Sequence, residues 1–129
     1  MMGAMADRDS ALALFEHRRA AWLGEDVDAY LACFDDDLTL ETPTGPPVQG
    51  IVAYAAMVRR SLRAIRPVSF EFHALAVDGP LVLAEWTIEL AVRADGRQIA
   101  YRGMSICELA GAKIRWWREY YDPAALRPL

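Results

Sequence analysis

Cysteine and histidine are scarce in this 129-residue chain, which holds two of each. Cys33 and Cys107 lie far apart and fit no C-x-x-C spacing, so they read as buried free thiols rather than as a disulfide framework. His17 and His73 have no H-x-x-x-H or carboxylate-spaced partner, and a zinc or iron site is not expected. The chain also lacks G-x-G-x-x-G, a P-loop and any metal-ligand cluster, so no cofactor is expected. No apolar run approaches the ~18 residues needed to cross a bilayer. The opening MMGAMADRDS has neither the basic n-region nor the apolar h-region of a signal peptide. These absences point to a cytoplasmic protein without a membrane partner. An excess of positive charge is missing too, the formal charge being -4. Arg59, Arg60, Arg63 and Arg66 read as a solvated helix face rather than a nucleic-acid footprint.

Apolar residues, by contrast, make up 54% of the chain, enough to bury a core, and the length suits one domain. Ala11, Leu12, Leu14, Phe15, Ala20, Trp22 and Leu23 recur at helical spacing, with Asp7, Asp9 and Ser10 available as caps and Gly24 as a stop. Asp26 opens a short second helix, Val27 to Phe34, which the acidic turn Asp35-Asp36-Asp37 closes. Leu38 to Thr42 alternates as a strand and runs into the loop Pro43-Thr44-Gly45-Pro46-Pro47. A third helix covers about 50–64, with Pro67 enforcing its stop. The period then changes to two. Val68–His73, Leu81–Arg93, Ile99–Leu109 and Lys113–Asp122 read as a four-strand meander with turns at Asp78-Gly79-Pro80, Ala94-Asp95-Gly96-Arg97 and Ala110-Gly111. Helices segregated from an antiparallel sheet make an α+β fold. The expected organisation is a flexible N-terminus over 1–8 and one domain over 9–126.

The stretch FDDDLTLETPTGPPVQGIVAY resembles the helix, acidic turn, strand, Pro/Gly loop and helix of NTF2-like proteins, in particular ketosteroid isomerases and SnoaL-like polyketide cyclases. The ending GAKIRWWREYYDP resembles their last strand. The resemblance implies an NTF2-like cone: a curved antiparallel sheet wrapped by three N-terminal helices around an apolar cavity, often dimeric through the outer sheet face. It does not carry the isomerase catalytic set. The general base falls at Thr42, the oxyanion-hole acid at Met104 and the oxyanion-hole tyrosine at or near Arg18. Nor does it carry the limonene-epoxide hydrolase set. The arginine and first aspartate of that set fall at Trp86 and Ile88, and its tyrosine and asparagine at Leu40 and Thr42. Only its second aspartate has a counterpart, as glutamate, in Trp117-Arg118-Glu119-Tyr120. SnoaL-like cyclases use an acid/base carboxylate on this same late part of the sheet.

Side chains alternate across a strand. If Trp117 faces the cavity, Glu119 and Tyr121 do too, while Arg118 and Tyr120 face out. If Met104 also faces in and pairs with Trp117, then Arg102 lies opposite Glu119. An inward Arg102–Glu119 pair is therefore expected, either as an acid/base group with its charged partner or as a buried ion pair that satisfies itself. Trp86, Trp117, Tyr121, Met104, Tyr54, Met57, Thr42 and Phe15 are the expected pocket lining, suited to a flat or polycyclic apolar molecule. His73 alternates out of phase with Phe70 and Phe72 and should face outward, while His17 and Arg18 could reach the pocket mouth. The outer face, with Glu85, Thr87, Glu89, Trp116, Arg118 and Tyr120, is the expected homodimer interface. The function these features suggest is a SnoaL-like enzyme using cofactor-free acid/base chemistry on an apolar substrate. A non-catalytic ligand-binding protein or a protein-interaction module are the alternatives.

Overall fold

Asp7 accepts a hydrogen bond from the backbone N–H of Ser10 at 2.8 Å and caps the first helix, α1 (Arg8–Leu23). The structure, a computed structural model, describes residues 7–127 and 129. Most of the flexible segment expected over 1–8 lies outside the described residues; of the rest, Asp7 is the cap of α1 and Arg8 its first residue. The buried stripe of α1 is Ala11, Phe15, Arg18 and Ala21, so a charged residue shares the inward face with alanine and phenylalanine. Asp26 caps α2 (Val27–Leu31) through the Ala29 N–H.

This second helix is shorter than its apolar pattern suggests. The Cys33 carbonyl accepts from Ile114 N–H at 2.8 Å, which draws the chain into the sheet early. Strand β1 (Phe34–Glu41) therefore begins at Phe34, and the three aspartates lie within it, not in a turn. Its register against β6 (Lys113–Tyr121) shifts between Phe34 and Thr39, where those aspartates fall. A two-residue strand, β2 (Val48–Gln49), pairs antiparallel with β1 through Thr39 and Leu40, a pairing that no alternation announces. Helix α3 (Ile51–Ala64) ends before Pro67, which sits inside β3 (Ile65–Asp78). That strand is an edge strand, where a missing N–H is tolerated.

The meander continues through β4 (Leu81–Val92), β5 (Gln98–Ala110) and β6. The sheet order is β2-β1-β6-β5-β4-β3, with β1 and β6 parallel and the other neighbours antiparallel. Register shifts at Pro67/Ser69 and Phe72/Ala74 of β3, and at Glu108/Leu109 of β5, bend the strands. The result is an α+β cone whose six-stranded sheet is curved and unclosed. Phe15, Phe34, Phe70, Trp86 and Trp117 are buried between its concave face and the helices.

The β5–β6 register differs from the expected one. Ala110 faces Lys113 across the two-residue turn Gly111-Ala112, and the shift at Glu108/Leu109 leaves Arg115 as an extra residue on β6. Met104 consequently pairs with Tyr120, and Cys107 with Trp117. An odd step along a strand exchanges its faces. Arg102 and Met104 are exposed on the outer face, and the inward partner of Glu119 is Ser105. The expected Arg102–Glu119 pair does not form, and Met104 is not a cavity residue.

Candidate functional site

The concave face of the sheet, α1, α2 and α3 enclose a cavity of about 540 Å3. Its walls are apolar: Leu40, Ile88 and Leu90 come from the sheet, Met57 and Val58 from α3, and Tyr101 and Tyr121 from β5 and β6. Thr44, Arg60 and Leu129 are lining residues that are also exposed, which places the mouth at their end. Thr42 and Thr44 hydroxyls meet there at 3.0 Å. The Tyr121 hydroxyl has both threonines near it, and burial raises its pKa against their pull.

Glu119 borders this cavity. It reaches inward because β6 alternates, with Trp117, Glu119 and Tyr121 on the concave side and Tyr120 exposed. Trp117 Nε1–H donates to Glu119 Oε1 at 2.9 Å and fixes the carboxylate. Burial raises its pKa above the ordinary 4.5, and Arg18 and the Trp117 hydrogen bond pull it down without cancelling that rise. A carboxyl group of this kind can take and return a proton closer to neutrality than a solvated one.

Arg18 is the second charged group deep in the cavity, and only 4% of it is exposed. Its guanidinium lies 4.1 Å from the Trp117 ring centroid, 5.1 Å from that of Phe70 and 5.8 Å from that of Phe15. Its Nε and Nη1 are buried without a hydrogen-bond partner. Burial works against its charge, but Tyr30, Tyr54 and Glu119 around it outweigh that and keep it protonated. Tyr30 and Tyr54 complete the floor, their hydroxyls 2.8 Å apart. Burial, above all, holds the Tyr54 hydroxyl well above the usual tyrosine value.

The structure brings together Glu119, Tyr54, Met57, Thr42 and Tyr121 of the expected set as cavity lining. Trp86, Trp117 and Phe15 lie behind the lining. Trp86 packs edge-on against Tyr101 and Tyr121 and donates from Nε1 to Ser105 Oγ at 3.2 Å. Phe15 packs against Phe72 and Trp117. Arg102 and Met104 belong instead to a groove on the outer face with Leu83, Glu85, Ile106 and Tyr120. His73 is exposed on the edge strand and bonds Thr87 Oγ1 at 2.7 Å. Cys33 and Cys107 are free and buried, and burial pushes the Cys107 thiol up to about 12. Among the described residues no group of three or more His, Cys, Asp or Glu could hold a metal ion, and no helix is long and apolar enough to cross a membrane.

Arg18 is a deep site residue, not one at the mouth, and Tyr30 was not singled out at all. The missed signal is phase. Arg18 follows Ala11 and Phe15 at helical intervals, so it sits on the stripe that must face the core.

Comparison with curated proteins returns no match. Among solved structures, an LEH-like epoxide hydrolase from M. tuberculosis superposes with a TM-score of 0.79 at 25% identity, over 91% of this chain and 86% of that one. A candidate isomerase from Bacillus subtilis gives 0.85 at 20% identity, over 96% and 94%. A candidate polyketide cyclase from Xanthomonas campestris gives 0.78 at 20% identity, over 94% and 96%. These likenesses establish the NTF2-like, ketosteroid-isomerase-like fold. A family model described as a SnoaL-like domain matches residues 13–117, which is most of the cone and every strand but part of the last. With the fold and the sequence model in agreement, this chain belongs to the SnoaL-like family.

Proposed function

We propose that this protein is a SnoaL-like enzyme that moves a proton on an apolar small molecule, with Glu119 as the acid/base group. The observation that carries this is the Glu119 carboxylate itself, bordering an apolar cavity and lifted by burial above its ordinary pKa. Glu119 takes a proton from an acidic carbon of the substrate and returns it at a second carbon, to a developing alkoxide, or to a departing hydroxide that leaves as water. In the hydrolytic case it takes the proton from the attacking water and gives it to the alkoxide freed by ring opening. The net reaction is an isomerisation, cyclisation, hydrolysis or dehydration, and the proton balance closes on one carboxyl group. Relatives in the fold bearing the words epoxide hydrolase, isomerase and polyketide cyclase fit that range.

The reading is tested with apolar carbonyl and epoxide probes. Hydrogen–deuterium exchange at the α-carbons of 2-tetralone is followed by NMR, and opening of styrene oxide by chromatography. Exchange or opening above the Glu119→Gln background supports it. Binding of the probes with no turnover above that background would make the protein a ligand carrier.

The same face that carries Arg102 supports a second proposal, a homodimer through the outer sheet. Met104 and Tyr120 are 44% and 59% exposed there, beside half-buried Leu83 and Ile106. Arg118 stacks on Trp116 at 4.4 Å with its Nε buried and unpartnered. Light scattering at micromolar concentration should give twice the 14.4 kDa chain mass. Tyr120→Glu should shift it to the monomer, and a monomeric wild type would refute the interface.

A further inference from the structure

The cavity of this protein is bordered by buried hydrogen-bond donors that none of the described residues accepts from. Arg18 offers Nε and Nη1 with no acceptor, and Trp22 Nε1–H, from the next turn of α1, is also buried and unpartnered. Both side chains border the same cavity. Glu119 Oε1 receives the Trp117 N–H and the Tyr30 and Tyr54 hydroxyls bond each other, and none of these oxygens is a hydrogen-bond partner of Arg18 Nε, Arg18 Nη1 or Trp22 Nε1. Arg18 is walled by rings on several sides, so its guanidinium cannot swing out to water. Unsatisfied buried donors are rare in folded proteins and point to a missing partner. Charge points the same way, because among the described residues the side chains of the lining set Arg18 and Arg60 against one carboxylate, Glu119.

We infer that the natural ligand is an apolar carboxylate, its ring or chain body filling the cavity and its anionic head at the deep end, on Arg18 and Trp22. A carboxylate supplies only acceptors, which is what a guanidinium and an indole N–H lack here. The aromatic walls then take the hydrocarbon part, and the head lies beside Glu119. This inference rests on the cavity being a small-molecule site and fixes the chemical class of the molecule. It does not depend on Glu119 performing chemistry.

The test uses naphthalene-2-carboxylate and its methyl ester, bound to the full chain and read by equilibrium dialysis. The wild type should bind the carboxylate about ten- to a hundredfold more tightly than the ester, as hydrogen bonds to a charged group imply. Arg18→Met should abolish that preference while leaving the affinity for the ester within about twofold. Removing Arg18 leaves the charge of Glu119 without its buried counterpart and lowers stability, so a thermal melt checks the fold. Arg18→Gln, neutral but polar, should lose the preference as well and carries the test should the methionine variant not fold. Glu119→Gln removes a negative charge beside the head and should tighten the carboxylate severalfold. That variant separates the two readings, since it can abolish turnover without harming carboxylate binding. Equal binding of acid and ester by the wild type, no binding of either, or an unchanged preference in both Arg18 variants would overturn the inference.

Discussion

Glu119→Gln is expected to lower turnover by about 10²–10⁴-fold, the usual worth of one positioned acid or base. Glutamine keeps the volume, and its Oε1 still accepts from Trp117 Nε1–H, which in the wild type is 2.9 Å from the carboxylate. What it loses is the proton. A loss of less than tenfold would remove Glu119 from the mechanism and leave it as a wall of the cavity. The pH dependence gives a second readout. Burial raises the Glu119 pKa above 4.5, so the ionised, proton-accepting form fills only above the ordinary carboxylate range. The wild-type kcat/KM for proton abstraction should therefore rise with pH through a midpoint above 4.5 and then level. Stability moves the other way. Ionising Glu119 costs more in the fold than in the unfolded chain, so its favourable contribution is complete below about 4.5 and is lost as pH rises through the raised folded value. Urea titrations across that window should show the stability difference moving towards the glutamine variant as pH increases.

Gly103→Ala is expected to destabilise the fold by about 1–3 kcal/mol, and to lower the melting temperature by roughly 5–10 °C for a domain of this size. A Cβ at Gly103 would lie 2.7 Å from Cη2 of Trp86 and 2.8 Å from the backbone carbonyl oxygen of Tyr120. Neither neighbour can give way cheaply. The carbonyl belongs to the sheet, and the indole is wedged among Phe70, Tyr101 and Tyr121. Displacing Trp86 would push Tyr101 and Tyr121 into the cavity they line, so ligand affinity should fall together with stability. Gly45→Ala is the control. That position has nothing within 4 Å of its added Cβ, and calorimetry should find it within about 0.5 kcal/mol of the wild type. A Gly103→Ala melting temperature equal to that of Gly45→Ala would mean the sheet relaxes around the methyl.

Local pattern made most of the cone readable. The period of two over Leu81–Val92 and the Asp95-Gly96 turn specify a hairpin wherever they occur, and Asp7 and Asp26 cap the helices as their side-chain chemistry implies. The inward set Trp117, Glu119 and Tyr121 followed from alternation on one strand. Arg102 and Met104 were misplaced because their face depends on how two strands align, and the extra residue at Arg115 is a single-residue event with no compositional mark. The β2 strand was invisible for a similar reason, its two residues being strand only by virtue of β1 beside them. Arg18 is expected only at the pocket mouth because charge ordinarily predicts exposure. Its true position was written in its phase along α1, where the ring cluster of Phe15, Phe70 and Trp117 makes a buried cation tolerable.

The parallel pairing of β1 with β6 has a consequence for how the molecule is made. Of the six strands of the sheet, the last in the chain, β6, is inserted in the interior, between β1 and β5. Until it arrives, β1 has no partner on that side, and the concave surface of β3, β4 and β5 stands open at one flank. Pairings between strands far apart in the chain, as β1 and β6 are, close long loops and are slow to form. On that order the chamber is complete only once β6 brings Glu119 to the cavity that Arg18 borders from α1. A chain without β6 lacks one wall of the cavity, so a molecule that fits the cavity would stabilise the protein only by mass action on the finished cone.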